Sequence, residues 1–134
     1  MSEAESRVVT GKGARLAAAL FNYGNIAAVL IPIPVGLLWL AASIVIYAMN
    51  RHHPEPRVGH YTQQAAYRFY GTVGFFVVAA NFIPAQVGYF LAVWALGILV
   101  IVPWSLVDLV RIHRETWPDL TVTDPAGVGR GERR

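Results

Sequence analysis

The sequence contains no cysteine, a single lysine and few charged residues of either sign. Without cysteine, the chain can form neither a disulfide bond nor a thiolate metal site. Charged residues make up 14% of the 134 residues, whereas a soluble domain usually carries about 25%. The basic residues flank long apolar stretches, which indicates anchoring at a membrane face and not binding of nucleic acid.

Two long stretches lack charged residues altogether. Asp, Glu, Lys and Arg are absent from residues 16–50 and again from residues 69–107. A helix needs about 20 apolar residues to cross the hydrocarbon core of a bilayer, and a soluble chain of this size could not bury so much apolar surface. The sequence therefore predicts an all-α integral membrane protein in contact with the lipid bilayer.

Prolines divide each uncharged stretch in two. Proline removes a backbone donor and pushes the preceding residue out of the helical region, so breaks are expected at Pro32 and Pro34 and at Pro84. The breaks predict two hairpins made of four helical segments, at residues 16–30, 35–50, 65–82 and 86–107. In the alternative, three spans include a long, kinked first helix. Residues 16–31 would either span the membrane or form a re-entrant segment.

Basic residues predict the topology. They lie in the polar N-terminal segment 1–15, in the central connection 51–68 and in the polar C-terminal tail 111–134. Because basic residues favour the cytoplasmic face, these three segments should share it. We expect a helical membrane domain over residues 16–110 of a bacterial inner (cytoplasmic) membrane protein, with both termini cytoplasmic. The tail lacks apolar periodicity, so order in it would indicate a partner.

The four histidines are weak candidates for holding a cofactor. His52, His53 and His60 cluster in the central connection, and His113 follows the last apolar stretch. Haem in membrane bundles is usually held by histidines inside spans on facing helices, and no acidic residue or cysteine completes a zinc spacing here. The sequence therefore predicts no metal and no cofactor, with these histidines in a solvated interfacial loop.

The segment around residues 60–70 combines aromatic, amide and basic side chains. This mixture is typical of an elbow that lies at the lipid headgroups. We therefore predict that the elbow contacts lipid or a partner loop. The contacting residues would be His60, Tyr61, Gln64, Tyr67 and Arg68.

The polar residues predicted to lie at depth are amides: Asn22, Asn25, Asn81 and Gln86. Such amides usually bond between helices or to broken backbone, although a pore lining is the alternative. Charged residues at mid-depth would indicate an ion or proton pathway. The expectation from sequence is that Arg68 and Asp108 sit near span ends and reach the interface.

A family resemblance adds to this interpretation. Several features occur in order along the chain: an Ile-Pro break, a polar loop with proline, a valine, a histidine, a Gln-Ala pair and an aromatic residue. In this sequence they are Ile31-Pro32-Ile33-Pro34, Pro56, Val58, His60, Gln64-Ala65 and Phe69. Over about residues 16–109 the chain resembles the small bacterial membrane proteins related to the chloroplast inner-envelope import component Tic-twenty. Tyr67 and Arg68 depart from the asparagine usual in that family. The resemblance implies four helical segments, termini on one side and no catalytic residues.

No phosphate-binding loop or nucleophile triad occurs in the sequence. We therefore predict a non-enzymatic accessory or structural subunit that assembles with other membrane subunits. A protein-translocation or channel component is one alternative. A haem-, pigment- or quinone-associated anchor of a respiratory or photosynthetic complex is the other.

Overall fold

A computed structural model of the protein describes residues 4–125. Within this range the chain is mostly helical, with four helices and one two-stranded sheet. The helices are α1 (Gly11–Leu30), α2 (Leu37–Asn50), α3 (Pro56–Ala80) and α4 (Val87–Arg114), and the strands are β1 (Ala4–Val9) and β2 (Leu120–Pro125). An irregular helical turn, Pro32–Gly36, precedes α2.

Both predicted proline breaks are confirmed. Ile33 has φ −129° and ψ 122°, so the backbone leaves the helical region directly before Pro34. Pro84 lies in the loop between α3 and α4. A single kinked helix over residues 16–50 is wrong, because α2 folds back on α1 and its Trp39 ring packs against Gly24.

The helices alternate in direction. The end of α1 lies beside the turn that begins α2, since Gly36 approaches the carbonyl group of Ala28. Phe76 of α3 meets Gly97 of α4, and Arg68 meets Asp108 further along the same pair. The bundle therefore has two ends. We call the end with the sheet and residues 51–55 the terminal end, and the end with the two prolyl breaks the proline end.

Helix α1 is the central helix, because its contacts with each of the other three are more extensive than any contact among those three. Its buried positions are mostly small or uncharged, and small side chains let helices approach closely. Towards the terminal end, Ala14, Ala18 and Ala19 pack with residues of α3 and α4. Towards the middle, Phe21 and Ala28 pack against α2 and α3.

The segments before α1 and after α4 differ from the prediction. Helix α1 begins at Gly11, earlier than expected, because Thr10 caps it by accepting a hydrogen bond from the Gly13 amide. The predicted unstructured tail is wrong up to Pro125, since β2 pairs with β1 from Val9–Leu120 to Ala4–Pro125. Strand β1 thus supplies the hydrogen-bond partner of this part of the tail, and residues 1–3 and 126–134 lie outside the described range.

Two helical stretches are long and apolar enough to cross a membrane. They are Pro32–Asn50 and Val87–Arg114, whose 18-residue apolar windows have mean hydropathies of 1.9 and 2.4. Only 6% and 17% of these windows are buried, whereas the core helix of a soluble protein is mostly buried. Their exposed side chains form an apolar outer surface that includes Leu37, Leu38, Ile44, Val45, Leu91, Leu99 and Leu106.

One amide links three helices. Asn25 of α1 donates through Nδ2 to the Ala65 carbonyl of α3 at 3.0 Å, and its Oδ1 accepts from Trp39 Nε1 of α2 at 2.9 Å. The prediction that amides at depth bond between helices is confirmed at this residue.

Replacing Asn25 with alanine should destabilise the fold by about 1–3 kcal/mol, because the Trp39 N–H loses its acceptor in a partly buried place. Thermal unfolding of the full chain in mild detergent measures the change. The matched control is Asn81→Ala, since the Asn81 amide bonds only to Val77 of its own helix at the surface. Equal melting temperatures for the two variants would contradict the linking role of Asn25.

Candidate functional site

A charged pair lies between the helices, with a polar neighbour from α1. Arg68 Nη2 of α3 donates to Asp108 Oδ2 of α4 at 2.5 Å and to Asn22 Oδ1 of α1 at 3.1 Å. The Arg68 and Asp108 side chains are only 18% and 8% exposed, and Asn22 is fully buried. We call these three residues the polar cluster. It joins α1, α3 and α4 through hydrogen bonds to ionised groups, which are stronger than neutral ones.

The polar cluster lies inside the helical bundle, some distance from its terminal end. Ser43 of α2 hydrogen-bonds the Tyr70 hydroxyl at 2.8 Å, two residues beyond Arg68. Ser43 precedes the end of α2 at Asn50 by seven residues, which is about 10 Å at 1.5 Å per residue. Both side chains turn into the bundle and meet, and their position relative to a membrane interface stays a prediction.

Several buried polar atoms near this level have no hydrogen-bond partner within residues 4–125. They are Asn22 Nδ2, Arg68 Nε, Thr62 Oγ1 and Ser105 Oγ. A buried donor left without an acceptor costs about 1–3 kcal/mol. Asn22 and Arg68 therefore keep hydrogen-bonding capacity beyond the contacts that the chain itself supplies.

A groove opens between α3 and α4 beside the polar cluster. It has a volume of about 600 Å³, within the range of ligand-binding clefts. Its polar part is formed by Gln64, Tyr67 and Arg68, and its apolar walls by Phe75, Phe76, Leu96, Val100 and Trp104. The two helices are therefore separated along one side, and the cluster's arginine faces that opening.

The predicted interfacial elbow is instead a regular part of α3, which runs unbroken from Pro56 to Ala80. His60, Gln64 and Tyr67 are exposed, whereas Tyr61 is buried and Arg68 largely so. The structure brings Gln64, Tyr67 and Arg68 together along the groove and turns Tyr61 towards another partner. Contact of this surface with lipid or a partner stays a prediction.

Tyr61 contacts Glu115 as part of a network of hydrogen bonds and ion pairs at the terminal end. The Tyr61 hydroxyl donates to Glu115 Oε2 at 3.0 Å. Arg57 forms ion pairs with Glu55 at 3.1 Å and with Glu115 at 3.5 Å, and its guanidinium lies 4.1 Å from the centre of the Trp117 ring. The hydrogen bond from Arg57 lowers the pKa of Glu55. These contacts connect the start of α3 to the segment after α4.

Burial, and then the hydrogen bond to Glu115, raise the pKa of Tyr61 to about 12. Because the folded state holds this proton more tightly than the unfolded state, the stabilisation is complete below pH 10. It is lost as the pH rises towards 12. A spectrophotometric titration of tyrosinate should show a late-ionising component that Tyr61→Phe removes. Glu115→Gln should shift that component to lower pH, and an unchanged curve in both variants would contradict the assignment.

The histidines divide into two places. His52, His53 and His60 surround a shallow, open depression at the terminal end, and burial lowers the pKa of His53. His113 lies elsewhere, with Nδ1 2.8 Å from the Leu109 carbonyl oxygen. No group of three or more metal-binding side chains is found in the part of the chain that the structure covers. A cofactor role for these residues stays a prediction from sequence.

Sequence reasoning missed the polar cluster because the register of the α3–α4 hairpin was not predictable. Arg68 lies 12 residues before the end of α3, whereas Asp108 lies 21 residues after the start of α4. The two helices must therefore be offset along their axes for the pair to form. The available signal was the opposite sign of the two charges that border the second uncharged stretch.

No protein-family model, curated protein or solved structure matches this chain. The resemblance to the Tic-twenty-like proteins stays a prediction.

Proposed function

We propose that the chain is an integral membrane protein. The observation that carries this proposal is the apolar surface of α2 and α4, which is largely exposed. Monomeric soluble proteins rarely expose contiguous apolar patches of more than a few hundred Å². Helices satisfy their own backbone hydrogen bonds, so a helical bundle can present such a surface to hydrocarbon.

In the proposed arrangement, the two hairpins cross a bacterial inner membrane and return, with both termini on the cytoplasmic side. The pairing of β1 with β2 supports a common side for the two ends, because it joins the segment before α1 to the segment after α4. The basic residues of the terminal end support the cytoplasmic assignment.

Labelling of single cysteines tests this arrangement directly, since the chain contains no native cysteine. Lys12→Cys and Thr116→Cys place a thiol at exposed positions of the terminal end, and Ile33→Cys and Gln86→Cys at exposed positions of the proline end. In sealed inner-membrane vesicles, an impermeant reagent should reach the first two from one side and the last two from the other.

Two labelling results would contradict parts of the proposal. Lys12→Cys and Thr116→Cys reacting from opposite sides would rule out the common side for the termini. Protection of Ile33→Cys from both sides, with Gln86→Cys reactive, would indicate that α1 and α2 form a re-entrant hairpin. Release of the whole chain into the aqueous fraction without detergent would overturn the membrane assignment itself.

We infer further that the protein acts as a non-catalytic structural or accessory subunit of a larger membrane complex. The polar cluster and the Asn25 link form hydrogen bonds between helices. This supports a packed scaffold over a channel or translocation pore, which needs polar groups along an open path. The histidines lie in two separate places at the terminal end, which gives a cofactor-holding anchor less support.

Native mass measurement after gentle extraction tests the subunit proposal. The chain alone has a mass of 14.7 kDa, and we expect a larger assembly that contains other membrane proteins. A monomer that persists across mild detergents would contradict the proposed role, while leaving the membrane assignment intact.

A further inference from the structure

We propose that the groove between α3 and α4 binds one anionic phospholipid, with the headgroup at the terminal end and an acyl chain along the apolar walls. This inference rests on the proposed membrane location. The groove is open over Gly71, where an added Cβ would meet nothing within 4 Å. From Gln64 to Phe76 it follows twelve residues of α3, about 18 Å, of which the apolar part beyond Arg68 covers about 12 Å, enough for the part of an acyl chain nearest the headgroup.

The polar part of the groove is built to accept a phosphate. Arg68 uses Nη2 for Asp108 and Asn22; its Nε is buried, and its Nη1, which is not among the buried unpartnered atoms, makes no hydrogen bond with the residues described. The Tyr67 hydroxyl accepts a hydrogen bond from Gln63 at 2.7 Å, so its own proton is free to be donated. Arginine is well suited to phosphate because its guanidinium offers several donors in one plane.

A second arginine supplies the net positive charge. Asp108 neutralises Arg68, but Arg111 is exposed in the last turn of α4. Arg111 follows the groove residue Trp104 by seven positions, so the two share a helix face. The terminal end of the groove therefore has donors from α3 and an exposed cation from α4, which favours an anionic over a zwitterionic headgroup.

The apolar part favours an acyl chain over a partner helix. A helix with side chains is about 10 Å wide, so a helix lying along this length would fill well over the 600 Å³ available. An acyl chain is narrower and fits between Phe75, Phe76 and Val100. Trp104 lies between the two parts and can report on the occupant.

Quenching of tryptophan fluorescence tests the proposal. The full chain in mild detergent is titrated with phosphatidylglycerol or phosphatidylcholine, both carrying brominated acyl chains. We expect half-maximal quenching at about fivefold lower concentration of phosphatidylglycerol, the effect of one basic residue near an anionic headgroup. Trp104→Phe should remove most of this selective quenching. Arg111→Gln should remove the preference, and free inorganic phosphate should not compete.

Gly71→Leu is the blocking variant, because its side chain would enter the groove from an open position. Gly88→Leu is the matched control, since Gly88 also has open space around it but does not line the groove. Selective quenching should be lost in Gly71→Leu and kept in Gly88→Leu.

Equal quenching by both lipids, or an unchanged Gly71→Leu variant, would overturn the lipid site. Such a result would leave the membrane proposal intact if the chain still required detergent. Loss of quenching together with a changed oligomeric mass in Gly71→Leu would assign the groove to a protein partner instead.

Discussion

Replacing Asp108 with leucine is expected to destabilise the fold by about 3–5 kcal/mol, because the Arg68 cation is then left without its carboxylate in a largely buried place. Arg68→Met should cost a similar amount, since it leaves Asp108 and the Asn22 carbonyl oxygen without their donor. Neither loss can be relieved by water if the surrounding solvent is hydrocarbon.

The double variant Arg68→Met/Asp108→Leu is the decisive comparison. It removes both charges, so we expect it to be more stable than either single variant. Unfolding in detergent, followed by circular dichroism, measures all three chains. Arg114→Met is the control for loss of an exposed arginine on α4 and should change stability by less than about 0.5 kcal/mol. A double variant as unstable as the sum of the two singles would show that the ion pair is not the reason for the loss.

Replacing Gly59 with alanine is expected to destabilise the fold by about 1–3 kcal/mol, through overpacking at the connection between α2 and α3. A Cβ at Gly59 would lie 2.4 Å from the carbonyl oxygen of Arg51. Because the obstructing atom belongs to the backbone, no side-chain rotation relieves the contact, and the two helices must separate.

The matched control for this substitution lies in the same helix. A Cβ at Gly74 would meet nothing within 4 Å, so Gly74→Ala should stabilise α3 by up to about 1 kcal/mol, the difference in helix propensity between the two residues. Melting temperatures of the two variants should therefore move in opposite directions. A shift of the same sign in both would mean that helix propensity, and not the approach of Arg51, controls position 59.

The breaks that were predicted correctly from the sequence depend on the local chemistry of single residues. Pro32, Pro34 and Pro84 interrupt helices through their own ring and missing donor, whatever the rest of the chain does. The strands had a weaker local signal, the alternation of apolar and polar residues from Leu120 to Thr123. It was hidden by the short length and by the prolines on either side.

Helix number, the positions of the two breaks and the apolar character of the helix exteriors follow from composition and order along the chain, because hydrophobicity and proline act on neighbouring residues. The rotation of each helix, the central place of α1 and the offset of α3 against α4 follow from packing between residues far apart in sequence. Those choices bring Arg68 to Asp108 and leave the groove open, since a shift of about one or two residues along a helix decides whether a side chain faces a neighbour or the outside.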